Sequence, residues 1–193
     1  MSGPLDAWLD AVVATPGMTA FRDAAEARSM LVDDALRAVD LVRALPGTIV
    51  DVGSGGGSPG IPLALALPDR EVVLLEAERR KCAFLEQWAP ANARVVWGRA
   101  EEQPLEAWGV ALAKALAHPP VALEWCLPLV RVGGAALVWT GSSADLGALA
   151  RAAEQLGGGE PENHDGLVLV PKVAATPARF PRRPGVARKR PLA

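Results

Sequence analysis

The sequence predicts an α/β fold, an open and mostly parallel sheet with helices on both faces. Three observations support this. Apolar runs of strand length alternate with runs of helical periodicity from residue 48 to residue 173. Half of the 193 residues are apolar, enough for one domain with a substantial core. The first apolar run, IVDV, opens directly into the glycine-rich stretch GSGGGSPG, a tight strand-to-helix turn of the kind parallel α/β sheets use against ligands.

Residues 5–14, LDAWLDAVVA, read as a short amphipathic helix. Residues 24–45 carry a longer helical pattern with Met30, Leu31, Leu36, Val39, Leu41 and Val42 on the apolar face, and Pro46-Gly47 ends it. Strand 48–52 follows, with a helix starting at Pro59 and reaching residue 66. EVVLLE at 71–76 is a strand, 79–89 a helix and RVVW at 94–97 a strand. A fourth strand falls at 110–114, with a helix near 121–130. Residues 134–139 form a strand, 144–156 a helix and 167–173 the last strand, after a turn at 157–161. The organisation is a helical segment over 1–45, a sheet domain over 46–173 and a basic tail over 174–193, rich in Pro and Arg and expected to run over the surface.

The formal charge of −2 conceals an asymmetry. Seven of the 20 Lys and Arg residues, and none of the 22 Asp and Glu, lie from residue 172 onward. An acidic body with a basic tail suits a polyanionic partner, or a tail that only aids solubility. Cys82 and Cys126 have no CxxC spacing and no clustered His, so buried thiols are expected rather than a disulfide framework or a metal site. The start, MSGPLDAWLDAVV, is acidic where a secretory signal is basic, and apolar runs break well short of the ~20 residues of a membrane span. A cytoplasmic protein without membrane association is expected. Trp88, Trp97, Trp125 and Trp139 lie in strand or helix patterns and are expected in the core. His118, just past the fourth strand, falls near where a substrate would lie, although a loop His before two prolines is more often incidental.

The glycine turn admits three ligands on first reading. A nucleoside triphosphate loop requires GxxxxGK[ST], and no Lys follows these glycines. A dinucleotide pattern, GxGxxG, matches at Gly55, Gly57 and Gly60, but its first glycine sits two residues too far from the strand, and it leaves Asp51 unused. The third pattern is apolar-apolar-Asp-x-Gly-x-Gly-x-Gly, met by Ile49, Val50, Asp51, Gly53, Gly55 and Gly57. It is the first motif of class I S-adenosylmethionine methyltransferases, whose acid lies near the cationic methionine end of the cofactor. A pyrophosphate would be repelled there. Glu76 closes the second strand about 20 residues on, where an acid can accept both ribose hydroxyls of either cofactor. Arg99-Ala100-Glu101 follows the third strand, in register for an adenine contact.

The chain resembles the bacterial small-subunit ribosomal RNA methyltransferase G family, also called glucose-inhibited division protein B. The resemblance rests on DVGSGGGSPGIPLALALPD, KCAFLE at 81–86, GRAEE at 98–102, LPLVRVGG at 127–134 and FPRRPGVARKRPL near the end. It implies a Rossmann-like class I S-adenosylmethionine-dependent methyltransferase fold with seven strands. It also implies methyl transfer from S-adenosyl-L-methionine to N7 of a guanine in 16S rRNA, with the small ribosomal subunit as partner. Guanine N7 offers a lone pair and carries no proton, so positioning and electrostatics suffice without a general base. Consistently, the sequence has no [ND]PP[YF] motif, HPPV at 118–121 being the nearest, and no Pro-Cys nucleophile.

On this resemblance Asp51, Gly53, Ser54, Gly55, Gly57, Ser58, Glu76, Arg99, Ala100 and Glu101 are the candidate cofactor contacts. Lys114 would stand beside the transferred methyl or an RNA phosphate. Arg179, Arg182, Arg183, Arg188, Lys189 and Arg190 suit RNA phosphates; the competing reading folds the tail back on the acidic body as a clamp. Departures from the family pattern fall mainly on the RNA side. Gly17-Met18-Thr19 stands in place of Asn-Leu-Thr and loses the Asn, Leu31 stands in place of a His, Lys114 of an Arg and Thr140 of a Lys, while Ser58 replaces a bulky residue in the glycine loop. Lys114 keeps the charge without the bidentate fork of Arg. A methyltransferase for another RNA or a small molecule, and a non-catalytic cofactor-binding ribosome-associated protein, are the alternatives.

Overall fold

The pleat of a strand sends alternate side chains of IVDV to two sides, and the whole fold is organised around that strand. In the computed structural model, which describes residues 3–141 and 144–193, Ile49–Val52 (β1) is buried along its length at the middle of the sheet. The other strands are β2 (Val72–Glu76), β3 (Ala93–Trp97), β4 (Trp108–Ala113), β5 (Val130–Trp139), β6 (Glu162–His164) and β7 (Leu167–Pro171). Among the described residues the sheet has seven strands in the order β3-β2-β1-β4-β5-β7-β6. β1 to β5 are mutually parallel, and β7 runs antiparallel to both β5 and β6. β1, β2 and β4 are buried throughout, which is why they are almost wholly apolar, with Asp51 in β1 and Glu76 at the end of β2 as the exceptions.

Two cores flank the sheet. Ile49, Leu74, Leu112 and Leu137 point to one face, under α1 (Pro4–Ala14), α2 (Ala24–Arg28), α3 (Asp34–Leu36), α4 (Val39–Ala44), α5 (Gly60–Ala66) and α6 (Arg79–Trp88), where Trp8, Val12, Val42, Ile61 and Leu85 are buried. Val50, Val52, Ala111 and Val138 point to the other, under α7 (Pro119–Cys126) and α8 (Leu146–Leu156), with Leu123, Leu149 and Leu156. The tail adds α9 (Val186–Lys189). No helix among the described residues is long and apolar enough to cross a membrane.

The structure corrects several expected boundaries. The helical run over 24–45 is interrupted by a π-helical turn at Ser29–Asp33 and a break before Val39; a periodic apolar pattern does not register one extra residue per turn. Carbonyls in the wide turn accept side-chain donors, Met30 from Lys114 and Leu31 from Ser58 (2.8 Å). Pro59 caps α5 rather than beginning it. The helix expected near 121–130 ends at Cys126, passes through a 3-10 turn at Leu127–Leu129 around Pro128, and gives way to β5 at Val130. The last strand stops at Pro171 rather than at residue 173. β6 has no apolar residue and shows no strand periodicity. Its available signal is Asp165-Gly166, both at positive φ (55° and 83°), the favoured chemistry of a two-residue hairpin.

Trp97 departs from its expected core position. It is 55% exposed at the end of edge strand β3, and the Arg79 guanidinium stacks 3.8 Å from its ring centroid. The tail is less exposed than expected: Phe180 and Ala187 are buried, and Lys172 donates to the Leu156 carbonyl (2.6 Å) and Thr176 Oγ1 (2.7 Å). Gly109 marks the tightest backbone approach beside β1. A Cβ there would lie 1.8 Å from the Pro46 carbonyl oxygen. Gly109→Ala is therefore expected to cost roughly 1–3 kcal/mol of stability as the backbone shifts, measurable by urea denaturation.

Candidate functional site

At the carboxyl ends of β1, β2, β3 and β4 a cleft of about 610 Å³ opens. This is where an open parallel sheet places ligands, at the point where the strand order reverses between β1 and β4. The glycine loop forms its floor. Gly53 sits at φ +73°, which favours glycine, and a Cβ there would also meet Leu116 Cδ1 at 2.3 Å, so the loop and the segment after β4 close on each other there. Gly55, at φ +57°, has open space where a side chain would stand, its nearest neighbour being the Gly53 carbonyl at 3.8 Å. Ser54 is tied by its hydroxyl to the Asp51 carbonyl (3.0 Å), and Gly53 and Ser54 donate their N–H groups to Leu75.

Asp51 and Gly57, both expected at the cofactor, do not line the cleft. Asp51 lies behind the loop, 1% exposed, where Oδ2 accepts from the Gly60 N–H (3.1 Å) at the start of α5 and Oδ1 has no hydrogen-bond partner. Burial pushes its carboxyl up to about 7, and the Glu76 carboxylate adds in the same direction. Gly57 packs instead against α1 and α5, since a Cβ would meet Ile61 Cδ1 at 2.5 Å and Trp8 Nε1 at 3.1 Å.

The raised Asp51 carboxyl has a consequence for stability. The folded protein holds a proton that the unfolded chain, with a value near 3.8, has released. Stability of the ligand-free protein is therefore highest below pH 4 in this respect and falls as the pH rises to about 7, at up to ~1.4 kcal/mol per pH unit. Asp51→Asn is expected to flatten that slope, which urea denaturation of both proteins between pH 5 and pH 8 would measure.

Glu76 ends β2 and lines the cleft beside Gly55. Its Oε2 accepts from the Gly55 N–H (2.9 Å) and its Oε1 from the Glu78 N–H (2.8 Å), which fixes the carboxylate without exhausting its lone pairs. Arg99, Ala100 and Glu101 form the next stretch of wall, the last two in a 3-10 turn. Ser58 and Lys114 also line the cleft, as do Met18 and Leu31. Lys114 is held by Asp34 Oδ2 at 3.1 Å and by the Met30 carbonyl, so its charge is already compensated. Thr140 bonds the Gly166 carbonyl away from the cleft (3.0 Å), and His118 is an exposed cap of α7 outside it.

Of the tail cations, Arg188 alone lines the cleft. Arg182 has its guanidinium engaged by the buried Glu124, Nε to Oε1 at 2.5 Å and Nη2 to Oε2, so this side chain clamps the tail onto α7. Arg179, Arg183, Lys189 and Arg190 stay exposed outside the cleft. The sequence reading missed one whole wall: Trp8, Val12 and Phe21 from the N-terminal segment. Trp8 reaches the loop through Nε1, which donates to the Gly56 carbonyl (2.9 Å). Nothing in the local pattern separates these residues from ordinary core positions. Cys82 and Cys126 are free and buried, burial pushes both thiols up, and no metal-binding cluster occurs among the described residues.

Comparison with known proteins gives this site a family context. A family model described as "GidB: rRNA small subunit methyltransferase G" matches residues 9–161. Proteins named Ribosomal RNA small subunit methyltransferase G are similar over most of the chain. That of Synechococcus sp. (strain JA-3-3Ab) is 39% identical, covering 79% of this chain and 67% of the relative. That of Chloroflexus aggregans is 37% identical, covering 91% and 82%. Among solved structures, human N-acetylserotonin methyltransferase in complex with SAM superposes with a TM-score of 0.60 at 16% identity, over 77% of this chain and 53% of that one. The Thermus thermophilus 16S rRNA N2 G1207 methyltransferase, in complex with AdoMet and guanosine, gives 0.53 at 17% over 73% and 40%. These likenesses establish the class I S-adenosylmethionine-dependent methyltransferase fold, and the match of sequence along most of its length means that the chain belongs to the rRNA small subunit methyltransferase G family.

Proposed function

We propose that this protein methylates N7 of a guanine in 16S rRNA of the small ribosomal subunit, using S-adenosyl-L-methionine. The observation that carries the reading is the cleft itself. An open-faced glycine, Gly55, and a strand-end carboxylate, Glu76, meet there beside the Arg99–Glu101 wall, in a chain of this family. The donor set fits the cofactor. The Glu76 carboxylate sits beside the loop, which favours a cationic, hydroxyl-bearing ligand and opposes a pyrophosphate, and a cation bound there would also favour ionisation of Asp51 behind the loop.

In this reading Glu76 accepts the ribose hydroxyls, the backbone of Gly53, Ser54 and Gly55 lies against the methionine portion, and Arg99, Ala100 and Glu101 border the adenine. Asp51 acts from behind, capping α5 through the Gly60 N–H and so holding the turn of the loop. The cofactor supplies an electrophilic methyl group on a sulfonium. The protein's part is orientation and exclusion of water: the apolar wall of Trp8, Val12, Met18 and Phe21 encloses one side, while Lys114, pinned by Asp34, shapes the β4 side. No residue need take a proton, because N7 has none to give.

The test is tritiated methyl transfer to purified 30S subunits from a strain lacking the modification, with titration calorimetry against S-adenosylmethionine and NAD. Label in 16S rRNA and heat with the first ligand only are expected. No heat with S-adenosylmethionine or its demethylated product would sink the cofactor assignment, and binding without label would redirect the search to another acceptor.

A further inference from the structure

We infer that Arg188 takes the phosphate of the target nucleotide, and that the rest of the tail serves to hold it there. This rests on the RNA methyltransferase reading above and adds the residue that positions the acceptor.

The cleft has two ends. Glu76 and Arg99–Glu101 occupy the ends of β2 and β3, on one side of β1. Lys114, Leu116, Trp125 and Arg188 occupy the β4 side. With the cofactor's ribose and adenine assigned to the first side, the acceptor must enter from the second. Cations line both ends, but their charges are not equally available. Lys81 pairs with Glu78 at 3.0 Å and Lys114 with Asp34 at 3.1 Å. Arg99 belongs to the adenine end. Arg188 lies over the Trp125 ring, 5.2 Å from guanidinium carbon to centroid, and reaches only the Leu116 carbonyl at 3.5 Å. Among the described residues it has no carboxylate within ion-pair distance, so its charge is free for a ligand.

Its chemistry selects the phosphate rather than the base. Methylation at N7 transfers positive charge onto the purine, and a guanidinium facing the ring would oppose that change. A phosphate on the same nucleotide is a constant anion, and the planar fork of Arg matches its oxygens. The tail is built to hold this group in place. Phe180 and Ala187 are buried on either side of the Arg182–Glu124 pair, and Gln155 Nε2 donates to the Leu192 carbonyl (3.3 Å) beyond it. Arg188 thus sits between anchored residues at the rim of the cleft.

The experiment compares wild type, Arg188→Ala and Arg188→Lys in three measurements: S-adenosylmethionine affinity, kcat/KM for 30S subunits, and binding of subunits at 50–200 mM salt. The Ala variant is expected to keep cofactor affinity within about twofold, lose at least tenfold in kcat/KM, and lower the slope of log affinity against log salt by about one. The Lys variant keeps the slope and recovers part of the rate. An unchanged salt slope in Arg188→Ala, or a cofactor affinity that falls with the rate, overturns the assignment. If the Ala variant melts early, Arg188→Gln gives the same slope measurement, and an unchanged slope there overturns it equally. Failure of wild type to label 30S subunits would instead count against the function itself.

Discussion

Arg182→Ala is expected to destabilise the protein by about 3–5 kcal/mol. Glu124 is 4% exposed in α7, and both of its carboxylate oxygens accept from the Arg182 guanidinium. Removing the arginine leaves a buried carboxylate with no compensating charge, and the buried Phe180 loses the anchor that follows it in the tail. The effect comes from the abandoned charge rather than from a strong pair. The double variant Glu124→Leu, Arg182→Met is therefore expected to recover most of the stability, since an apolar pair of similar volume avoids the desolvation of both ions. Urea denaturation of the single and double variants gives the comparison. A single variant within about 0.5 kcal/mol of wild type would show that the pair is a solvated surface contact.

Glu76→Ala is expected to weaken S-adenosylmethionine binding by at least about a hundredfold. Hydrogen bonds to a charged group contribute roughly 1.5–3 kcal/mol each, and two ribose hydroxyls would lose theirs together. The substitution also releases the Gly55 and Glu78 N–H groups that the carboxylate now holds, so the glycine loop loses its support from β2. Glu76→Gln keeps the shape but turns an amide donor toward one of those N–H groups, and is expected to bind weakly as well. Calorimetric titration checks both variants, with folding monitored in parallel. An affinity within threefold of wild type for Glu76→Ala would remove the carboxylate from the site.

Much of the site was legible because its chemistry is local. The glycine turn after β1, the acid at the end of β2 and the Arg99–Glu101 segment each follow a strand, and parallel strands bring their carboxyl ends to one edge whatever their order. Asp51 was legible as important but not in its place. The motif puts an acid before the glycines; only the strand's alternation, with Ile49 and Asp51 toward the α5 face, puts that acid behind the loop as a helix cap. Ser58 and Leu31, separate departures from the family pattern in sequence, meet in space through the Ser58 hydroxyl and the Leu31 carbonyl. The π turn that positions that carbonyl leaves no mark on apolar periodicity.

The sequence by itself determined the α/β class, the strand-to-glycine-loop unit and the family, because these depend on residue types at short fixed spacings. The tertiary structure decided the rest: that Trp8 and Phe21 wall the cleft, that Trp97 is exposed, and that of the tail's cations Arg182 clamps the buried Glu124 while Arg188 faces the cleft. The physical reason is that burial and ion pairing depend on partners far apart along the chain. Arg182 finds Glu124 across 58 residues and Trp8 finds Gly56 across 48, separations over which a linear pattern of charge and hydropathy carries no pairing information.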